Sequence, residues 1–185
     1  MLAVSASDSE PEEGLGIIAQ LLRRRFNIRP SDDDDAAYEK LLHGLEPIVD
    51  RRLHSTAARL LAYLAGLRAA VVKTGEDRLD NLARFHRRAV ATLCNLLQYD
   101  AAQRPSVLVV HRAQHLTERA VEVFAAAFRE LKGSPITLVL LTTIKPPKAL
   151  RPRSKRVVSV KLEPLDNAAM EQLARALLNL SLIHI

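Results

Sequence analysis

Between Ser106 and Leu141 the apolar residues change period twice, and this change restricts the fold more than any other feature. Ser106-Val107-Leu108-Val109-Val110 is a continuous, largely β-branched run, the pattern of a strand buried on both faces. Leu116, Ala120, Val123, Phe124, Ala127, Phe128 and Leu131 then recur at helical spacing, so Leu116–Leu131 reads as a helix that Gly133 and Pro135 end. Ile136–Leu141 is apolar throughout and predicts a second buried strand. Strand, helix and strand in this order imply a right-handed crossover within a mostly parallel sheet, hence an α/β protein.

The flanking chain extends the alternation. Val157–Leu162 alternates apolar and polar residues and predicts a third strand near an edge, and Asp166 is placed to cap a last helix carrying Met170, Leu173, Ala174, Leu177 and Leu178 inward. Upstream, Leu2–Ser5 reads as a short strand. Leu15–Phe26 reads as a helix bearing Leu15, Ile18, Leu21 and Leu22. Pro30-Ser31 breaks the chain before a helix carrying Tyr38, Leu41, Leu42, Leu45, Ile48 and Val49, and two further helices are expected over Thr56–Leu67 and Asp77–Gln98. Asp32–Asp35 precede the second of these four helices. Four carboxylates there complement the positive end of its dipole, with Ser31 or an Asp as cap, whereas a cation site would need converging oxygens.

Composition excludes several function classes. The single cysteine, Cys94, rules out an intrachain disulfide framework and a thiolate metal cage. Cys94 and His86 have no partner at a catalytic spacing, so packing or solvation is the plainer role for each. No apolar run approaches the ~18 residues of a membrane span, and Met1–Glu13 does not read as an export leader, so a cytoplasmic protein is expected. The net charge of +6 divides unevenly: residues 1–50 hold five bases against eleven acids, and the remainder holds twenty-two against ten. Lys145, Lys148, Arg151, Arg153, Lys155, Arg156 and Lys161 form the densest basic stretch. Three prolines among them argue for a solvated loop over a DNA-reading helix, and the scarcity of aromatics argues against a base-stacking platform. Direct nucleic-acid binding by this segment is not expected.

In a parallel sheet, ligands sit beyond the carboxyl ends of the strands. The informative residues are then His111-Arg112-Ala113-Gln114-His115-Leu116-Thr117 and Thr142-Thr143-Ile144-Lys145-Pro146-Pro147. SVLVVHRAQHLT, the long amphipathic helix, ITLVLLTTIKPP and VKLEPLDNAAMEQLARALL together resemble the ATPase module of the STAND branch of AAA-type P-loop NTPases. Such modules occur in LuxR-type regulators and in kinase- or cyclase-linked signalling proteins. IIAQLLRRRFNIRPSDDDDAAYEKLLHGL and ARLLAYLAGL resemble the helical insert between that module's second and third strands. The resemblance implies a partial NTPase core over residues 1–163, with the insert at about 14–100, and the start of a lid region over 164–179. It places Met1 downstream of the first strand and phosphate loop, and no GxxxxGK[ST] stands in the chain.

The resemblance also implies a changed site. The family's Asp-Asp-Ala-His/Gln-x-Leu reads His111-Arg112-Ala113-Gln114-His115-Leu116, so both Walker B acids are replaced. Imidazole and guanidinium cannot stand in for carboxylates on Mg²⁺, and hydrolysis should be crippled. The family's Thr-x-Arg-Pro reads Thr143-Ile144-Lys145-Pro146, which keeps charge without the guanidinium fork. Thr143 and Arg112 are the candidate nucleotide-binding residues, no catalytic or metal-ligating residue is assigned, and ATP is expected only if a phosphate loop lies upstream. A zinc reading of His111 and His115 lacks a third ligand.

The implied function is a nucleotide-linked conformational switch inside a larger multidomain regulator, partnered by its other domains and by proteins. The alternative is a catalytically dead interaction scaffold that binds no nucleotide. Finally, Leu180-Ser181-Leu182-Ile183-His184-Ile185 matches the translation of a transposase sequencing adaptor. Chance gives such a hexapeptide at about one site in ten million, so the natural chain is expected to diverge after Asn179.

Overall fold

The computed structural model describes residues 2–6, 15–67, 79–145, 148–150 and 158–178. The chain divides into two compact units, residues 1–151 and 152–185. The expected hexapeptide scar at 180–185 and residues 7–13 of the segment Met1–Glu13 lie outside the described residues.

In the first unit three strands among the described residues, β1 (Leu2–Ser5), β2 (Ser106–His111) and β3 (Ile136–Leu140), form a parallel sheet in the order β1-β2-β3. Val4 pairs with Val110, which pairs with Leu140, so one face carries Val4, Leu108, Val110, Leu138 and Leu140 toward the core. Among the described residues five helices accompany the sheet: α1 (Gly16–Arg25), α2 (Asp34–Leu45), α3 (His54–Leu64), α4 (Leu79–Gln103) and α5 (Glu118–Glu130). The first four separate β1 from β2, and α5 makes the crossover from β2 to β3.

Local chemistry sets the helix ends. Asp33 caps α2 by accepting a hydrogen bond from Ala36 N at 2.8 Å, and Asp34 and Asp35 occupy the first turn, where the dipole favours carboxylates. Asp32 is used differently: it accepts from Arg29 N and from Lys40 Nζ, both at 2.6 Å. The acidic run is thus shared between a cap and an ion pair. Thr117 caps α5 through Ala120 N. Beyond α5, Gly133 takes φ +96°, a conformation open to glycine and strained for other residues.

Packing joins these helices into one core. Ile17, Ile18, Leu21 and Leu22 of α1, Leu41 and Leu45 of α2, and Leu61 and Leu64 of α3 are wholly buried or nearly so. The alanines Ala57, Ala58 and Ala62 let α3 lie close to its neighbours, α2 and α4. Arg25 ties α1 to α4 through two hydrogen bonds to Asp100, 2.5 Å from Nε and 2.7 Å from Nη2.

Two strand expectations are corrected. Burial of β2 and β3 on both faces is not found: Val107, Val109 and Val139, which point away from the core, stay partly exposed and outside it. The described helices bring their apolar faces to one side of the sheet. The third strand expected at Val157–Leu162 is also not found among the described residues, since residues 158–162 form no regular element and pair with no described strand, and Val157 lies outside the described residues. Alternation alone does not make a strand: without a partner bonded to its N–H and C=O groups the segment stays exposed.

In the second unit the last helix, α6 (Asn167–Leu178), forms as expected, and Asp166 caps it by accepting from Ala169 N at 2.7 Å. Its inward face is not borne out. Met170, Leu173 and Leu177 are exposed, and Val158, Val160 and Leu162 before it are 84%, 74% and 82% exposed. No described helix is long and apolar enough to cross a membrane.

Candidate functional site

Because the strands are parallel, their carboxyl ends share one edge of the sheet. There the chain leaves β1 at Ser5-Ala6, β2 at His111-Arg112 and β3 at Leu141-Thr142-Thr143. Main-chain hydrogen bonds fasten the three exits together. Ala6 N donates to His111 O at 3.0 Å, Leu141 N to Val110 O at 2.9 Å, and Ala113 N to Leu141 O at 2.9 Å. From α1, Gln20 grips the main chain of Ser5: its Oε1 accepts from Ser5 N at 3.4 Å and its Nε2 donates to Ser5 O at 3.1 Å.

Arg112 takes φ 54° and ψ 42°, the left-handed region, which costs a non-glycine residue ~1–2 kcal/mol. The turn is held because Ala113, wholly buried, is bonded to β3 and His115 N donates to Arg112 O at 2.9 Å. It swings the chain from β2 into a single 3-10 turn, Ala113–His115, before α5. His111 and Arg112 are both exposed, and the Arg112 guanidinium lies 3.5 Å from His115 Nε2. A guanidinium against that nitrogen is a poor neighbour for a zinc ligand, and among the described residues no group of three or more His, Cys, Asp or Glu could hold a metal.

After β3, the Thr142 hydroxyl is used locally. It donates to Ile144 O at 2.8 Å and accepts from Ile144 N at 3.3 Å, forming a tight turn. Thr143 is left exposed beside it, followed by exposed Lys145. The strand exits therefore place Arg112 and Thr143 on the same sheet edge, in neighbouring loops. None of the residues from His111 to Thr117 or from Leu141 to Lys145 is acidic. Mg²⁺, a hard cation that takes carboxylate oxygens, does not fit this donor set. A phosphate group would suit the guanidinium, ammonium and hydroxyl groups better.

The residue pattern gave no sign of a buried polar atom here. Gln114, in the 3-10 turn, has a buried Oε1 that accepts no hydrogen bond from the described residues. The basic stretch read from sequence is largely outside the described residues; its short 3-10 turn, Lys148–Leu150, packs on α5 and buries Leu150. Of the two groups assigned to packing or solvation, Cys94 is 3% exposed, and burial pushes its thiol up to about 11, with Glu130 adding to the shift. No family model matches the chain, and no curated protein or solved structure matches it.

Proposed function

We propose that this chain is part of a STAND/AAA-type P-loop ATPase core whose hydrolytic site has degenerated. Its role would be a nucleotide-linked conformational switch within a multidomain signalling or transcriptional regulator. The observation that supports it most is the sheet. Its strands lie side by side in chain order, all parallel, and the outer edge of β3 is unpaired among the described residues. On the order expected from the resemblance, the family's first strand lies in the middle of the sheet, and the open edge of β3 leaves room for such a strand. The partly exposed Val107, Val109 and Val139 leave apolar surface for the helix that would follow its phosphate loop.

In this reading Arg112 and Thr143 lie where the phosphates would approach, and the charge of Arg112 takes over part of the role of a metal. Binding would then be independent of Mg²⁺, and hydrolysis negligible. A scaffold that binds no nucleotide is the second reading, favoured by the exposed apolar residues of the segment from Val158 to Leu177. The natural gene product carrying this segment separates the two. Under the switch reading a fluorescent ATP analogue binds equally with Mg²⁺ and with EDTA, and an in-frame GxxxxGK[ST] stands upstream of Met1. Absence of binding by a protein with an intact phosphate loop would leave the scaffold.

A further inference from the structure

A polar junction away from the strand ends connects three helices. Tyr63 of α3 packs edge-on against Phe85 of α4, with ring centroids 5.2 Å apart, and against His86 at 6.0 Å. Its hydroxyl oxygen accepts a hydrogen bond from Arg119 Nη2 of α5 at 2.5 Å and lies 3.4 Å from His86 Nδ1. We propose that Tyr63, His86 and Arg119 form a proton-sensitive latch, which joins α3, α4 and α5 while His86 is neutral and loosens when it is protonated.

The direction of each hydrogen bond decides this. Arg119 is always a donor, so it occupies a lone pair of the phenol oxygen. The phenol proton is then available to His86 Nδ1, which can accept it only when that nitrogen is bare. The neutral imidazole consequently carries its proton on Nε2. Protonation turns Nδ1 into a donor, sets a second cation on the oxygen already held by Arg119, and removes the acceptor for the phenol proton. Among the described residues, the groups facing His86 from the packed elements are Tyr63 on α3 and Arg119 and Glu122 on α5. Burial and the Arg119 charge hold the imidazole below its usual range, against the opposing pull of Glu122.

The position of the latch gives it reach. Arg119 stands in the first turn of α5, directly after the loop that carries Arg112 and His115. A cation there opposes the helix dipole, and Tyr63 offers it an acceptor from a neighbouring helix. Tyr63 belongs to the helical segment between β1 and β2. Opening the latch would therefore uncouple that segment from the loop at the carboxyl end of β2.

Histidine NMR on the full chain, with amide exchange of α3 and of the first turns of α5 at pH 7.5 and pH 5, tests this. His86 is expected in the Nε2–H form with a midpoint below 6.5, and Tyr63→Phe should raise that midpoint by removing the donor to bare Nδ1. After correction for intrinsic rates, those amides should exchange roughly two- to tenfold faster at pH 5, the range one hydrogen bond's net contribution spans. His86→Asn, which retains an acceptor that does not titrate, should abolish the difference. A midpoint at or above 6.5 in the unsubstituted chain overturns the latch without recourse to any variant. Equal pH dependence in His86→Asn overturns it as well.

Discussion

Replacing Gly44 by alanine tests the packing of the helical segment at its tightest point. A Cβ at Gly44 would lie 2.5 Å from Phe26 Cδ1 and 2.7 Å from Cε1, where carbon atoms pack best at about 3.5–4.0 Å. Phe26 cannot swing freely aside: it is 6% exposed, belongs to the core, and carries the Arg25 guanidinium 5.3 Å from its ring centroid. Overpacking of this kind costs about 1–3 kcal/mol. The gain in helix propensity from glycine to alanine offsets up to ~1 kcal/mol, and less here because Gly44 is the penultimate residue of α2. Gly44→Ala should therefore destabilise the chain by about 1–2 kcal/mol, measured by urea unfolding followed by helical circular dichroism. Combining it with Phe26→Leu should show coupling, the double substitution costing less than the two single ones together. A stabilising Gly44→Ala, or strict additivity with Phe26→Leu, would refute the clash.

Other perturbations address the remaining contacts. Asp100→Ala should cost about 1.5–3 kcal/mol, because it strands Arg25, whose side chain is only 28% exposed; urea unfolding of the single variant reads it directly. Asp33→Ala removes the α2 cap and should lower stability by ~1 kcal/mol, whereas Ser31→Ala should be silent in the same melts. Lys40 and Arg29 N hold the Asp32 carboxyl below the usual carboxylate range. Its contribution is present above the unfolded value of about 3.8 and is lost as the pH falls through the lower folded value, so Asp32→Asn should flatten that part of the acid-unfolding profile. With its thiol at about 11 and its side chain buried, Cys94 should react with a disulfide reagent at pH 8 far more slowly in the folded chain than in urea; equal rates would contradict the burial.

Much of the local structure was legible before any folding was considered. The six described helices and the strands at Leu2–Ser5, Ser106–His111 and Ile136–Leu140 follow apolar periods that the backbone geometry imposes, and Asp166 caps where a short polar side chain precedes an apolar stripe. The edge to search for a site was legible too, because the carboxyl ends of parallel strands can be counted along the chain. The turn at Arg112 was not, since its left-handed backbone is stabilised by bonds to β3, about thirty residues further on. Nor were the burial of Gln114 Oε1 or the grip of Gln20 on Ser5, which no spacing announces.

The sequence by itself therefore determined the α/β class, the order of most elements, the cap at Asp166 and the absence of acids just after β2. These depend on residues within a few positions of one another. Only the tertiary structure decided which strand face is covered, whether Val158–Leu162 finds a partner, and which of the four aspartates caps and which pairs. It also brought Tyr63, His86 and Arg119 together from three helices. Burial and pairing of that kind depend on surfaces supplied by distant segments, and a run of residues carries no record of what will lie against it.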